Sequence, residues 1–127
     1  MAQEITGANA GLQVTDFDGR QTAADQTTTT GALDHARPRQ SFEVTVYQKT
    51  FTAGTGTLRP YYELQVADDS AFTSNLRRFG LGTAPRASRS VLCGKCYAPD
   101  GGKRYSRIVP TLDGTDTVNF DVVVSGS

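Results

Sequence analysis

The stretch Ser41-Phe-Glu-Val-Thr-Val-Tyr47 decides the fold of this chain. Phe42, Val44 and Val46 alternate with residues that are polar or, at Tyr47, amphipathic. Successive side chains of an extended strand point to opposite faces, so this period of two predicts a strand with one buried face.

Other segments repeat the pattern on both sides of this strand. The alternating apolar residues are Tyr62, Leu64 and Val66 in one segment and Val118, Phe120, Val122 and Val124 in another. Weaker strand patterns cover 76–81, 90–96 and 104–109, with turn signals at 98–102 and an Asp-Gly hairpin signal at 112–116. Short strands separated by turns, with no convincing helix, predict an all-β, single-domain β-sandwich or jelly roll.

Length and charge exclude several classes of protein. The chain has 127 residues, which suits one domain, and its formal net charge of zero disfavours a general nucleic-acid binder. No apolar stretch approaches the roughly 20 residues of a membrane-spanning helix. The first residues carry no basic segment followed by an apolar run, so we expect synthesis in a cytoplasm, where both cysteines start reduced.

The first part of the chain differs from the rest. Residues 1–36 are rich in Gly, Ala, Asp and Thr, and include the run Thr27-Thr-Thr-Thr-Gly31. Only Leu12, Val14 and Phe17 suggest a short strand there. We expect residues 1–36 to be an extended N-terminal arm or peripheral strands, and residues 37–127 to be the sandwich core.

Charge is segregated along the chain. Residues 1–36 carry the acidic residues Glu4, Asp16, Asp18, Asp25 and Asp34 against one Arg, whereas residues 75–108 carry the basic residues Arg77, Arg78, Arg86, Arg89, Lys95, Lys103, Arg104 and Arg107 against one Asp. This distribution fits a solvated surface, charge-matched docking between copies or onto a partner, or phosphate binding. Complementary charge sets the register and rate of association more than its affinity.

Cys93-Gly-Lys-Cys96 is the most conspicuous local motif. Its alternatives are a structural turn with reduced thiols, a metal or disulfide staple, either within one chain or completed by a symmetry mate, and a redox pair. One chain offers only these cysteines and His35 as soft ligands, whereas a structural zinc site needs four. A redox pair normally starts a helix, and none is predicted here.

Other motifs fall short of a catalytic site. Asp16-Phe-Asp18 resembles the start of a calcium loop, but Thr27 stands where the loop requires Glu. Asp68 and Asp69 are expected in a solvated loop, and His35 is expected at the surface. The chain lacks a Gly-x-Ser-x-Gly elbow and a phosphate-binding loop. We therefore expect no enzymatic activity, cofactor or metal.

The tyrosines at 47, 61 and 97 are the remaining candidates for function. Tyrosines on a sheet face occur in carbohydrate-binding modules and in protein interfaces. The alternative is that they cap the ends of the sandwich.

The order of segments resembles a family of small capsid cement, or decoration, proteins of tailed phages. The resemblance covers roughly residues 28–125 and is most specific at Asp68-Asp-Ser-Ala-Phe-Thr-Ser74 and Lys103-Arg-Tyr-Ser-Arg107. Gly54-Thr-Gly-Thr-Leu58 and Leu112-Asp-Gly-Thr-Asp116 also match. The Cys-Gly-Lys-Cys loop, the Thr run and the acidic N-terminal segment depart from the family pattern.

The resemblance implies a jelly roll that forms homotrimers on the outer capsid surface and clamps neighbouring major capsid proteins, in a virion assembled in the host cytoplasm. It implies no nucleic-acid or membrane partner. The residues we expect at interfaces are Asp16, Asp18, Asp34, Tyr47, Tyr61, Arg77, Arg78, Arg104 and Arg107. The second hypothesis for the function is a lectin-like carbohydrate-binding sandwich. The third is a small cysteine-dependent or metal-bound enzyme.

Overall fold

A computed structural model describes residues 19–98 and 100–127, and these residues form eight strands and no helix. The strands are β1 (Arg20–Gln26), β2 (Leu33–Arg39), β3 (Ser41–Thr52), β4 (Tyr61–Ala67), β5 (Arg77–Thr83), β6 (Ser90–Tyr97), β7 (Lys103–Thr111) and β8 (Thr117–Gly126). Among the described residues there is no helix long and apolar enough to cross a membrane.

The strands form two antiparallel sheets of four. Sheet I has the order β1-β8-β3-β6, and sheet II has the order β2-β7-β4-β5. The partners β1 and β8, β2 and β7, β3 and β6, and β4 and β5 nest as in one long hairpin folded over on itself. Added contacts between β3 and β8 and between β4 and β7 complete each sheet. This connectivity is that of a jelly roll, and it confirms the all-β sandwich expected from the sequence.

The core lies between the sheets and is built by the alternation seen in the sequence. Phe42, Val44 and Val46 face inward from β3, beside the inward residues of the neighbouring strand β8 and across the core from those of β4. Tyr62 and Phe120 lie edge to face with ring centroids 5.4 Å apart. Apolar burial of this kind is the main favourable term in folding, at about 25 cal/mol per Å² removed from water.

The polar side chains of Tyr62 and Gln48 meet in the core, and both form hydrogen bonds there. The buried Tyr62 hydroxyl donates to Gln48 Oε1 at 2.8 Å, and Gln48 Nε2 donates to the carbonyls of Pro85 and Ala87 at 3.0 and 2.9 Å. Burial raises the pKa of Tyr62 well above its ordinary value. The pair is therefore neutral, satisfied and specific for one packing of the two sheets.

The structure bears on two expectations from the sequence, the turn at 112–116 and the N-terminal residues 1–36. The Asp-Gly turn at 112–116 is not a hairpin, because β7 belongs to sheet II and β8 to sheet I, so the turn crosses between sheets. Within residues 1–36, Arg20–Gln26 and 33–36 lie in edge strands of the two sheets, and β2 runs past residue 36 to Arg39. The suggested strand at Leu12, Val14 and Phe17 lies outside the described residues.

Candidate interaction surfaces

The outer face of sheet I carries an exposed apolar strip. Tyr47 on β3 pairs with Val91 on β6, and Val91 and Tyr97 are 60% and 56% exposed. Cys93 lies between them on the same face, opposite Thr45. Because odd-numbered positions of β6 point outward, Val91, Cys93, Lys95 and Tyr97 stand in one row. We call Tyr47, Val91, Cys93 and Tyr97 the sheet I strip.

The two cysteines cannot act together. Cys93 is exposed and Cys96 is half-buried toward the core, because residues three apart on a strand point to opposite faces. Their Cα atoms are separated by about 10 Å along the strand, beyond the ~7 Å that a disulfide can span. Burial raises the pKa of the Cys96 thiol, the reverse of what a redox pair needs. The disulfide staple and the redox pair within one chain are both wrong.

Gly94 within this motif has a packing role. A Cβ there would lie 2.7 Å from Cδ2 of Leu81, which reaches across from β5. The gap left by the missing side chain lets the edges of the two sheets approach each other. Across residues 19–98 and 100–127, no group of three or more His, Cys, Asp or Glu side chains is placed to hold a metal ion.

A second apolar surface lies at the end of sheet II. A groove of about 530 Å³ is lined by Leu58, Arg59, Tyr61, Thr83, Thr111, Leu112 and Asp113. Leu58 is 67% exposed and Tyr61 is 36% exposed. The Tyr61 hydroxyl occupies the space where a Cβ of Gly80 would lie, so the ring lies across β5. We call this surface the sheet II groove.

Carboxylates of the β7–β8 turn fix the wall of the groove. Asp113 Oδ2 accepts hydrogen bonds from the backbone of Thr57 and Leu58 at 2.7 and 3.0 Å. The buried Asp116 accepts from the backbone of Gly54 at 2.6 Å and pairs with Arg86. These bonds lower the pKa of both carboxyl groups. The exposed Leu58 is therefore held in place by its backbone and is not a mobile loop residue.

The arginines predicted at interfaces are mostly engaged within the chain. Arg77 lies 2.6 Å from Asp100, and Arg104 forms a two-pronged pair with Asp34 at 2.8 and 3.0 Å. The Arg104 hydrogen bond, with a smaller contribution from the Ala36 amide, lowers the pKa of Asp34 to about 2. The charge complementarity between Asp34 and Arg104 is therefore used inside one copy.

Arg107 and Arg78 are held differently. Arg107 donates to Gln65 at 2.8 Å, and its guanidinium lies 4.2 Å from the ring centroid of the buried Phe72. Arg78 has only a loose contact with Glu63, at 3.9 Å, and its side chain is 65% exposed. Of these four arginines, Arg78 is the one whose charge is least committed. The predicted interface residues Asp16 and Asp18 lie outside the described residues.

Asp68 and Asp69 serve the loop that follows β4. Asp69 accepts hydrogen bonds from the backbone of Thr73 and Ser74, both at 2.9 Å, and Asp68 accepts from Asn75 at 2.6 Å. The two carboxylates thus bind different partners and do not form an acid–base pair. They close the loop that holds Phe72 beneath Arg107.

His35 was expected at the surface, and this expectation is wrong. Its side chain is fully buried, with Nδ1 3.1 Å from the Gly19 carbonyl and Nε2 2.7 Å from Ser106 Oγ. A carbonyl only accepts, so Nδ1 carries the proton and Nε2 accepts from the hydroxyl. The Ser–His pair has no access to solvent and no carboxylate behind it, so it is a structural link between β2 and β7.

The sequence reasoning missed the groove residues Leu58 and Arg59. The alternation suggested a strand from Leu58 to Val66, whereas the strand begins at Tyr61, so Leu58 and Arg59 lie in the loop before it. It also missed that Lys103 is buried, with Nζ bonded to the Gly102 carbonyl at 3.1 Å and to Asp100 Oδ1 at 3.2 Å. The burial of Lys103 had no signal in the sequence, because lysine is a residue type that is ordinarily exposed.

The strand order makes this chain a jelly-roll β-sandwich. Its two exposed apolar surfaces, the sheet I strip and the sheet II groove, lie on different sheets. No family model and no curated protein matches the chain. A similar solved structure is that of the CBM22-1–GH10 modules of the N-terminal endo-1,4-β-D-xylanase 10B from Clostridium thermocellum, complexed with xylohexaose. Its TM-score is 0.51 at 15% identity, over 87% of this chain and 26% of that one. At this identity the similarity concerns the sandwich fold alone.

Proposed function

We propose that this chain is a non-enzymatic capsid decoration protein, which binds the outer surface of a phage capsid as a homotrimer and clamps neighbouring major capsid proteins. The observation that carries the proposal is the pair of separated apolar surfaces, the sheet I strip and the sheet II groove. Among residues 19–98 and 100–127, the five exposed large hydrophobic residues are divided between these two surfaces. A small domain with two such surfaces can contact two partners at once.

The electrostatics support a structural role. Several charged side chains at these surfaces are paired within the chain, among them Arg104 with Asp34 and Arg77 with Asp100. Paired charges do not offer a reactive or phosphate-binding cluster. The two segments most specific to the cement-protein resemblance also meet in space, because Phe72 of one lies beneath Arg107 of the other.

The physical basis of clamping is additive binding energy across a seam between capsid subunits. Aromatic anchors are the residues that most often dominate such interfaces, and Tyr47 and Tyr61 offer one for each surface. Three copies joined by one repeated contact would present each surface three times. The virion surface is the proposed location, after assembly in the host cytoplasm.

The test uses expanded capsids of the encoding phage that lack their decoration protein. We expect the purified chain to bind them and to raise their melting temperature in calorimetry. Tyr47→Ala and Tyr61→Ala should each weaken binding, whereas the exposed Thr50→Ala on β3 is the matched control. Capsids that neither bind the chain nor change in stability would contradict the proposal.

A carbohydrate-binding module is the second candidate, and the groove favours it. Tyr61 offers an exposed ring beside Thr83, Thr111 and Arg59, a combination of aromatic surface and polar groups that suits a sugar. This function predicts glycan-array binding that Tyr61→Ala abolishes. An array without hits, together with capsid stabilisation, would leave the decoration role.

A further inference from the structure

Strand β6 differs from the other three edge strands of the described sandwich. The pairing of β1 shifts register between Ala23 and Gln26, that of β2 between Asp34 and Arg39, and that of β5 at Tyr62 and Glu63 of its partner β4. In contrast, β6 pairs with β3 over eight consecutive residues without a shift. Bulges and irregularities protect sheet edges against strand addition, so β6 is the unprotected edge.

The side chains of β6 do little to block that edge. Val91, Cys93 and Tyr97 point outward and are exposed, and Lys95 is the only charged residue of the strand. Lys95 has a loose contact with Glu43 at 3.5 Å, with both side chains largely in solvent. A regular, mostly uncharged edge with apolar outward side chains is the form to which another strand adds.

Positive charge around β6 selects the kind of strand. Lys95 lies on it, and Arg89 directly precedes it. Two β6 strands paired antiparallel over their full length would place Lys95 opposite Leu92, and β6 contains no carboxylate that could pair with either cation. The edge therefore fits an acidic strand better than a second β6.

We propose that residues 11–18 of a neighbouring copy add to β6 as that strand. Their sequence is Gly11-Leu-Gln-Val-Thr-Asp-Phe-Asp18, which contains three large apolar residues, two carboxylates and no basic residue. The segment has eight residues, the same length as β6. The inference rests on the proposed homotrimer and identifies the contact that forms it.

Reach requires that the segment come from another copy. Residue 19 precedes β1, at the opposite edge of sheet I from β6. A strand added outside β6 would lie four inter-strand spacings from β1, or roughly 19 Å. Phe17 is two residues from Gly19, a span of about 7 Å, so it cannot cover the edge of its own chain. Each copy then donates one strand and accepts one, a heterologous contact that three copies can close.

The native Cys93 provides the test, since it lies on the outward face of β6. Val14→Cys and Thr15→Cys are made separately in the full chain. Successive residues of a strand point to opposite faces, so one of these two positions lies on the same face as Cys93. After mild oxidation we expect one of them to give disulfide-linked species of up to three chains on a non-reducing gel. Cys93→Ser should remove them, and Thr28→Cys, an exposed position before β2, is the matched control.

Charge reversal gives an independent readout. Asp16→Lys with Asp18→Lys should raise the trimer dissociation constant about tenfold, as expected for two partly exposed ion pairs, and Lys95→Glu should recover part of that loss. A trimer whose cysteine variants do not cross-link overturns the inference, as does a chain that is monomeric by light scattering. Capsid stabilisation is measured separately, so its failure beside successful cross-linking would count against the decoration role alone.

Discussion

Gly56→Ala offers the sharpest test of how the sheet II groove is built. Gly56 is buried in the β3–β4 connection, and its amide donates to Asp116 Oδ1 at 3.2 Å. A Cβ at this position would collide with the backbone carbonyl of Asp113, 2.7 Å from the carbonyl carbon. A backbone obstacle cannot rotate away as a side chain can, so the loop must shift.

The magnitude follows from two opposing terms. Replacing Gly with Ala favours folding by about 0.4–1 kcal/mol through the unfolded chain when the native site has room. Overpacking a well-filled site costs about 1–3 kcal/mol. We expect Gly56→Ala to lose about 1–2 kcal/mol of unfolding free energy. Gly31→Ala, where no atom lies within 4 Å of the added Cβ, should gain about 0.5 kcal/mol.

The assay is urea unfolding followed by circular dichroism, with a thermal scan beside it. For a domain of this size, 1 kcal/mol corresponds to about 3–5 °C in Tm. Gly56→Ala should therefore lower the Tm of the parent and Gly31→Ala should raise it, so that the two variants differ from each other by roughly 5–10 °C. Equal stability of Gly56→Ala and Gly31→Ala would refute the close contact between the two turns.

Three further predictions concern the core and the buried polar groups. Burial, with a smaller effect of Arg39, lowers the pKa of His35 below its ordinary value, so the neutral form is the folded one. The stability that this residue contributes is complete above about pH 6.5 and falls as the pH drops toward the folded pKa; urea midpoints at pH 7.5 and 5.5 should show this, and a His35→Gln variant with the same slope would contradict it. Phe120→Ala should cost about 3–5 kcal/mol in urea unfolding, because the ring is fully buried against Tyr62; a loss below 1 kcal/mol would show that the core is not packed as described. A thiol reagent should modify the exposed Cys93 quickly. It should modify the half-buried Cys96, whose thiol pKa is raised by burial, only on unfolding. Equal rates of modification in the folded protein would be inconsistent with opposite faces for the two thiols.

The sequence predicted the parts of the fold that depend on alternation. Phe42, Val44 and Val46 and the corresponding residues of β4 and β8 are all in the core, because a strict period of two allows only one buried face. It failed at the Asp113-Gly114 turn, since local turn chemistry does not specify whether the next strand stays in the same sheet. That choice is made by the whole nested topology.

The candidate surfaces were predictable only in part. Tyr47, Tyr61 and Tyr97 are exposed as expected from their places in the alternation. His35 was misplaced because its burial depends on Ser106, 71 residues away, which supplies its hydrogen bond. The pairing of Asp34 with Arg104 also joins distant segments, so net charge along the chain did not show which groups neutralise one another.

The nested order of the strands has a kinetic consequence. Of the eight strands that the structure describes, only β4 and β5 are neighbours both along the chain and within a sheet, whereas every other pairing joins strands that are separated by further strands. Folding must therefore close long loops before most contacts can form, and all-β chains of this kind fold in milliseconds to seconds. Among the described strands, the β4–β5 ribbon is the pairing that needs the shortest loop, so it can form before the pairings that enclose it.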